Sequence, residues 1–513
     1  MLVVRSRGIS VMRTGERLTA ADKNFFSQVA AISFMNPFSE QREAILSRLI
    51  AGRVQQPGAP AINSILPELD ERIAAAENKS LGTIARFEGD ERRMMEAVFL
   101  YQIYHRFVVE LDKLIERQQQ QRRAGDMSFV DALLSQLAAR GFPEQDALRH
   151  LAIFYQLRRA FYFIVKSLVG ESASMRRLRL QLWAAVFTQD MHVYDRHLWN
   201  RMEDFATLLL GETGTGKGSA AAAIGRSAFI PYDRAQRQFA VNFTETFIVT
   251  NLSQFPETLI ESELFGHKKG AFTGAIENHE GVFERCNAHG ALFLDEIGEV
   301  PIPVQIKLLQ VLQERTFTPL GSHEKKRFAG RVIAATNRPL DELRSERRFR
   351  DDFYYRLCSD VILVPTLRQR IEESPRELED LVRLLVARIA GEENAELSAL
   401  VMESIERDLP RDYRWPGNVR ELEQAVRRIL LTGHYYGERP RAPTDEIERL
   451  AERMRAGTLA ADELLRGYLT LLHRRFGTYE EVGRRAGVDR RTARKYLVTS
   501  DNSGPPRAKA RKH

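Results

Sequence analysis

Cysteine is nearly absent from the 513 residues: only Cys286 and Cys358 occur, far apart and in no metal-spaced pair. That excludes a disulfide scaffold and a zinc finger, and it suits a reducing compartment. Long apolar runs are missing too. The most apolar stretch, AFYFIVKSLVG, is interrupted by Lys166 and falls well short of the roughly 20 residues a membrane span requires. The first fifteen residues, MLVVRSRGISVMRTG, lack the apolar region of a secretory signal. Together these absences predict a soluble, cytoplasmic protein. Composition shows no deficit of core-forming residues: 43% hydrophobic and 28% charged residues exclude wholesale disorder. The length exceeds what one core can serve, so about three or four domains are expected.

Charge is unevenly placed. Residues 484 to 513 hold ten Lys/Arg against Asp489 and Asp501, a local excess of eight where the whole chain carries +7. The rest is near neutral, so the basic character is a local device that points to a polyanion.

The texture changes along the chain. Residues 1–167 read as helical throughout, with breaks at Gly125 and Gly141–Pro143. Ala97, Tyr101, Tyr104, Val108, Leu111 and Ile115 follow alternating steps of four and three, a heptad stripe for a bundle core or a dimer seam. His105 and His150 have no ExxH partner and read as ordinary packing or surface residues. No apolar strand delivers an acceptor aspartate there, which argues against a phosphate-receiver domain. From 168 to 365 short apolar runs (FATLLL, FIVTN, GALFLD, RVIAATN) alternate with helical patterns, predicting a parallel sheet with crossover helices. Residues 366–435 are helical again, 436–458 read as a linker, 459–500 as a small helical domain and 501–513 as a basic tail. The fold class expected is multidomain: an all-α N-terminal domain, an α/β phosphate-loop domain with a helical lid, and a C-terminal helix-turn-helix.

FATLLLGETGTGKGS is an apolar strand running into Gly-x-x-x-x-Gly-Lys. Glycines let successive N–H groups of Gly211, Glu212, Thr213, Gly214, Thr215 and Gly216 turn toward one anion. The next helix adds its positive N-terminus, and Lys217 supplies a point charge for β/γ-phosphates. Position 218 is glycine, so no hydroxyl is in register for Mg²⁺; Ser219 lies one step late. The second motif, GALFLDEIGEV, delivers Asp295 and Glu296 to the carboxyl end of a buried strand, where open α/β sheets bind ligands. Asp295 can orient Mg²⁺ through its water shell and Glu296 can act as general base. The nucleotide expected is ATP, and its hydrolysis is the expected reaction.

Between these motifs lies ESELFGHKKGAFTGA, too rich in glycine for the interior of a helix or strand. It resembles the signature of bacterial enhancer-binding proteins, the AAA+ ATPases that activate sigma-54 RNA polymerase. The resemblance covers residues 168–435 and the C-terminal domain. It implies that the loop Gly270, Ala271, Phe272, Thr273, Gly274, Ala275 touches sigma-54 and moves with the state of the γ-phosphate. It also implies Asn251 as a switch that restrains the glutamate, with Asn242 a rival. Asn337 in RVIAATN would sit near the attacking water. Arg350 and Arg356 in FRDDFYYRL would be arginine fingers, and Arg420 in YRWPGNVRELEQAV would reach the phosphates from the lid. Fingers act on a neighbour's nucleotide, so a ring is implied, hexameric by family norm. Three departures stand out: Gly218 where the family usually has Glu, a long run at 171–206 with Trp183 and Trp199, and an extended PYDRAQRQFAVNF.

At the end of the chain, TYEEVGRRAGVDRRTARKYL gives two short helices around Gly487, following a stripe of Leu464, Leu465, Tyr468, Leu469 and Leu472. The pattern resembles the Fis-type domain of many enhancer-binding proteins. Arg490, Arg491, Thr492, Arg494 and Lys495 then lie on the outer face of a recognition helix, some for bases and others for phosphates of double-stranded DNA. Two rival readings are an AAA+ machine of another kind and a DNA-binding regulator with a vestigial ATPase module, the latter supported by Gly218 alone.

Overall fold

Apolar residues recurring every three to four positions wind the first part of the chain into helices. The computed structural model describes residues 17–51, 61–121, 127–437, 450, 453–454 and 457–498. The amino-terminal stretch quoted above, Gly125, most of the expected linker and the basic tail lie outside them. The chain divides into two compact units, Met1–His434 and Tyr435–His513.

The first unit begins with α1 (Ala20–Phe34), α2 (Glu40–Ile50), α3 (Leu66–Asn78), α4 (Gly89–Arg106), α5 (Val108–Gln121), α6 (Phe129–Ala139), α7 (Glu144–Ser167) and α8 (Ala173–Phe187). Side-chain caps set several starts: Thr19 Oγ1 accepts from the Asp22 amide, Ser39 from Arg42 and Ser172 from Met175. The heptad stripe does not run unbroken. At Phe107 the backbone leaves the helical region (φ −109°, ψ 11°) and α4 gives way to α5. Tyr101, Leu111 and Ile115 are nevertheless buried in the chain's own core with Phe26, Val29 and Tyr155. That is the bundle-core alternative; side chains so buried cannot form a dimer seam.

Nine strands follow: β1 (Thr207–Leu210), β2 (Tyr232–Asp233), β3 (Gln238–Phe239), β4 (Phe247–Asn251), β5 (Ala291–Asp295), β6 (Thr316–Phe317), β7 (Lys326–Arg327), β8 (Arg331–Thr336) and β9 (Asp360–Leu363). β4, β5, β8, β1 and β9 form one parallel sheet in that spatial order. β5 and β8 are apolar along their length because helices cover both faces. Four of the five strands are the apolar runs expected. The fifth, β9, is an edge strand with Val361 and Leu363 exposed; its apolar run Val361–Val364 is not among those expected. The extended PYDRAQRQFAVNF stretch holds the small β2–β3 hairpin.

Buried arginines join the helical region to the sheet and the lid. Arg331 on β8 donates to the Ala185 carbonyl at the end of α8 (2.7 Å), to Thr207 Oγ1 (2.9 Å) and to the Phe205 carbonyl (3.0 Å). The lid helices are Leu367–Glu373, Arg376–Ala390, Ala395–Asp408 and Asn418–Thr432. Arg370 and Glu377 form an ion pair there at 2.6 Å, 4% and 1% exposed. Glu377 also accepts from the Ser172 amide (2.6 Å), and Arg370 donates to the Val169 carbonyl (2.7 Å). Every charge-bearing group in that knot has a partner, the condition under which a buried pair is tolerated.

The second unit packs helices Ala461–Phe476, Tyr479–Ala486 and Arg490–Val498 around Leu469, Val482 and Ala493. Gly487 turns the chain between the last two with φ +68°. A Cβ at Gly483 would stand 2.7 Å from the Val488 carbonyl oxygen, so this close approach requires glycine.

Replacing Glu377 by Leu alone strands a buried guanidinium and should cost roughly 3–5 kcal/mol, whereas Arg370→Met with Glu377→Leu should recover most of it. The thermal unfolding midpoints of the two variants measure the difference.

Candidate active site

β1 ends at Leu210 in the middle of the sheet, and the loop that follows is shaped by glycines in left-handed conformations, Gly214 (φ +80°) and Gly216 (φ +102°). A Cβ at Gly214 would lie 2.2 Å from the Gly417 carbonyl oxygen of the lid. Helix Lys217–Gly225 then begins. Lys217 is buried, and its Nζ donates to the carbonyls of Gly211 (2.8 Å) and Glu212 (3.1 Å). Thr215 Oγ1 donates to the Glu212 carbonyl (2.9 Å), which closes the loop. Burial lowers the Lys217 pKa, opposed by the Glu296 and Asp295 carboxylates. Gly218 and Ser219 are exposed, and nothing lies within 4 Å of a Cβ built at 216 or 218. Room for a side chain is therefore present at 218; only the chemistry is missing.

Parallel register brings the other candidates to the same edge. Asp295 ends β5 opposite Asn251 at the end of β4, and Asn337 follows β8 between β5 and β1. Glu296 is held at φ +58°, ψ 47°, an uncommon conformation for a side chain of its size and of the kind that gathers at functional sites. Its Oε2 accepts from the Asn337 amide (3.4 Å), and its amide donates to Asp295 Oδ1 (3.1 Å). Burial, then the Asp295 charge, raises the Glu296 pKa. Asn337 Nδ2 donates to Thr213 Oγ1 (2.8 Å), which ties the end of β8 to the glycine loop.

Asn251 points elsewhere: its Oδ1 accepts from the Ser253 amide (3.0 Å) and hydroxyl (2.8 Å). Asn242 precedes the amino end of β4, away from this edge, and accepts from the Thr244 amide (3.1 Å). Arg350 is bonded to Asp352 in its own helix (2.7 Å), and Arg356 donates twice to the Leu312 carbonyl (2.7 and 3.0 Å). Neither finds a partner in the glycine loop of its own chain. Arg420 is exposed on the first turn of the lid's last helix; its charge disfavours protonated Lys217, and its Cβ lies 3.0 Å from where one on Gly214 would stand.

The lid contributes two residues that sequence reasoning missed. Asn418, fully buried with φ +54°, accepts from the Leu367 amide (2.8 Å) and donates to Glu212 Oε2 and the Thr213 carbonyl (both 3.1 Å). Arg368 pairs with Glu212 through two hydrogen bonds. The Val419 amide adds a bond to the Gly214 carbonyl (3.0 Å). The signal available was the WPGN stretch, where Trp415 and Asn418 take positive φ on either side of a proline-glycine pair.

Residues 266–279 leave the body of the sheet domain. Gly270 (φ +84°) and Gly274 (φ +101°) have open space around them, so their glycine identity answers to backbone conformation alone. The Gly270 amide donates to the Ala275 carbonyl (2.8 Å), closing a small ring whose tip is Ala271, Phe272, Thr273 and Gly274. Phe272 is 37% exposed, its edge against His267 at 4.9 Å, and Thr273 and Ile276 are exposed; Ala275 is buried at the base. A second loop braces that base: the Lys268 amide bonds the Leu320 carbonyl, and Gly321 packs on Ala271.

In the second unit Arg490, Arg491, Arg494 and Lys495 are exposed on helix Arg490–Val498. Thr492 is half-buried: its hydroxyl donates to Asp489 Oδ2 (2.6 Å) and its amide to Asp489 Oδ1 (2.9 Å). It works as part of the helix cap, a role the sequence reading did not assign.

A model of the sigma-54 interaction domain family matches residues 188–362. The transcriptional regulatory protein ZraR of Klebsiella oxytoca is 38% identical over 304 residues, 56% of this chain and 62% of that one. The sigma54-dependent transcriptional activator SfnR of Pseudomonas putida is 38% identical over 284 residues, 54% of this chain and 71% of that one. A crystal structure of NtrX from Brucella abortus in complex with ATP covers 76% of this chain and 86% of its own at 23% identity, with a TM-score of 0.38, too loose to build on. The chain belongs to the family of sigma-54-dependent transcriptional activators. It spans less than two thirds of the length of relatives such as ZraR.

Asn418→Ala removes two hydrogen bonds between lid and glycine loop and one within the lid; at about 1 kcal/mol each, hydrogen exchange of amides 211–216 should quicken at least about tenfold. Unchanged exchange would show that the clasp contributes nothing to loop order.

Proposed function

We propose that this chain is a DNA-bound ATPase that remodels sigma-54 RNA polymerase so that a closed promoter complex can open. What carries the reading is the exposed Phe272–Thr273 tip between two left-handed glycines, in a chain that also has Lys217, Asp295 and Glu296 along one sheet edge. An aromatic anchor on a hinged loop suits a protein partner better than a core.

Lys217 meets the β/γ-phosphates of ATP, exchanging its bonds to two loop carbonyls for phosphate oxygens. Glu296 accepts the proton of the attacking water, and Asn337 orients that water beside it. Mg²⁺, when bound, neutralises charge on the transferred phosphoryl group. No cluster of three or more His, Cys, Asp or Glu side chains among the described residues could hold a metal unaided. Half-buried Asp295 at the strand end would orient Mg²⁺ through its water shell, with the phosphates and water supplying the remaining contacts. Arg350 and Arg356 serve a neighbouring subunit's nucleotide in a hexameric ring, Arg420 senses the phosphates from the lid, and Asn251 acts as the switch on Glu296 once it leaves its bonds to Ser253.

In this reading residues 1–167 regulate, 168–365 are the AAA+ α/β subdomain that meets sigma-54, 366–435 are its helical lid, and 436–458 link them to the helix-turn-helix at 459–500. Arg490, Arg491, Arg494 and Lys495 contact DNA, Thr492 orients their helix, and 501–513 add salt-sensitive phosphate attraction. A cytoplasmic location goes with these partners.

Lys217→Ala should abolish ATP turnover by the purified chain, and Glu296→Gln should lower it by roughly 10²–10⁴-fold. Thr273→Ala should keep turnover and lose open-complex formation with sigma-54 polymerase. Turnover indifferent to Lys217 would end the enzyme claim. Because protonated Glu296 cannot accept a proton and its pKa is raised, turnover should climb with pH, its acid limb lying above the ~4.3 of a free glutamate.

A further inference from the structure

Helix α7 faces two ways. On one side, fully buried Arg159 donates from Nη1 to the Arg226 carbonyl and from Nη2 to the Ala228 carbonyl, both at 2.7 Å. Gln156 Nε2 donates to the Ser227 carbonyl between them (2.8 Å), and Tyr194 fixes that carboxamide from behind (2.7 Å). Three consecutive carbonyls just past the end of the Lys217–Gly225 helix are thus held by α7. The guanidinium stacks on Tyr155 at 4.3 Å and is pushed down by burial to about 10, so it stays charged at neutral pH and complements the negative end of that helix.

On the other side α7 lines a cavity of about 750 Å³, far from Lys217 in the fold and unused by the reaction above. Part of its wall is aromatic: Phe38, Tyr101, Tyr104, Phe154, Phe161 and Trp183. The volume is that of a site for a small organic molecule, roughly 300–1,000 Å³. Polar groups interrupt the walls, among them Arg42, His105, Asp112, His150, Arg158 and Asp195. The buried indole N–H of Trp183 has no acceptor, and a buried unpartnered donor is costly unless something fills it. Arg158 is paired with Asp112 (2.7 Å), and Asp195 is answered by Arg149 at 3.7 Å. Arg42 has no carboxylate partner among the described residues, although its charge bears on Tyr101, Tyr104 and His105. His105 is held neutral, down to about 3, by burial and then by the Arg42 and Arg158 guanidiniums. The lining thus holds two carboxylates, Asp112 and Asp195, the second with a buried Oδ1 that accepts no hydrogen bond, and two guanidiniums, of which Arg42 is the one without a carboxylate partner among the described residues.

We propose that this cavity binds a small aromatic acid, its rings against the aromatic walls and its anion on Arg42, and that occupancy is transmitted along α7 through Gln156 and Arg159 to the phosphate-loop helix. Trp183 sits on α8, whose end is bonded to β8 through Arg331, so the cavity wall also reaches the sheet. The transmission rests on the ATPase reading above; the binding does not.

Calorimetric titration of the full chain with 2-naphthoate as probe tests both parts. Saturable one-to-one binding is expected. Leu157→Trp and Leu46→Trp fill the cavity from different helices, and each should weaken binding at least tenfold, about 1.4 kcal/mol, with the melting transition retained. Arg42→Gln should weaken 2-naphthoate by a similar factor and leave neutral 2-naphthalenemethanol unaffected. Saturating probe should change the wild-type ATPase rate at least twofold, and Gln156→Ala should still bind the probe while losing that response. No saturable binding up to ~1 mM, or binding untouched by both plugs, overturns the site. Equal losses for acid and alcohol overturn the anionic ligand. Binding that leaves wild-type turnover unmoved overturns the transmission, while a chain without ATPase activity would sink the earlier reading and leave the titration intact.

Discussion

The nine-residue helix Lys217–Gly225 is the constraint on which the rest of the molecule depends. Its amino end must present free N–H groups and a lysine to an anion, and at 1.5 Å per residue its other end lies only about 13 Å away. That far end is a row of carbonyls with no intrahelical partners. Some of these are closed locally by Arg226 and Ser227, and the three carbonyls just past the helix, of Arg226, Ser227 and Ala228, are held by Arg159 and Gln156 from α7, more than sixty residues earlier in the chain. A short rigid rod with a chemical task at one end and a domain contact at the other couples whatever moves α7 to the loop that meets phosphate.

The same economy governs the sheet. Parallel strands all end on one side, so placing β1, β4, β5 and β8 as neighbours sets Lys217, Asn251, Asp295 and Asn337 along a single edge with no further device. Strain is then confined to a few residues. Glu296 and Asn418 take left-handed backbone conformations, and each is held by hydrogen bonds to a neighbouring element. The lid closes on the glycine loop through Asn418, Arg368 and Val419, and its far side is locked to the helical region by the Arg370–Glu377 pair. Lid, loop and N-terminal helices are therefore one connected body.

What was legible in the sequence follows from which forces leave periodic traces. Burial on both faces writes continuous apolar runs, so FATLLL, GALFLD and RVIAATN could be read as strands; the edge strands β4 and β9 are both half-exposed, and of these only FIVTN was read, although Val361–Val364 is as apolar. Backbone conformation writes glycine, so the loops at 211–217 and 270–275 stood out. Long-range hydrogen bonds write nothing periodic. Arg159, Arg331, Arg368 and Asn418 are ordinary letters until the fold brings carbonyls and carboxylates to them. The heptad stripe misled in one respect, since spacing alone does not reveal that Phe107 ends one helix and starts another.

Arg159 also bears on how the chain is made. Its carbonyl partners lie 67 and 69 positions downstream, and at roughly 5–20 residues per second a ribosome needs several seconds to deliver them. Until then the inward face of α7 has nowhere to put its guanidinium, and the N-terminal bundle emerges with an unfinished, water-exposed side. Stalled or truncated nascent chains ending before residue 226 would display that side indefinitely and become natural clients for chaperones and proteases.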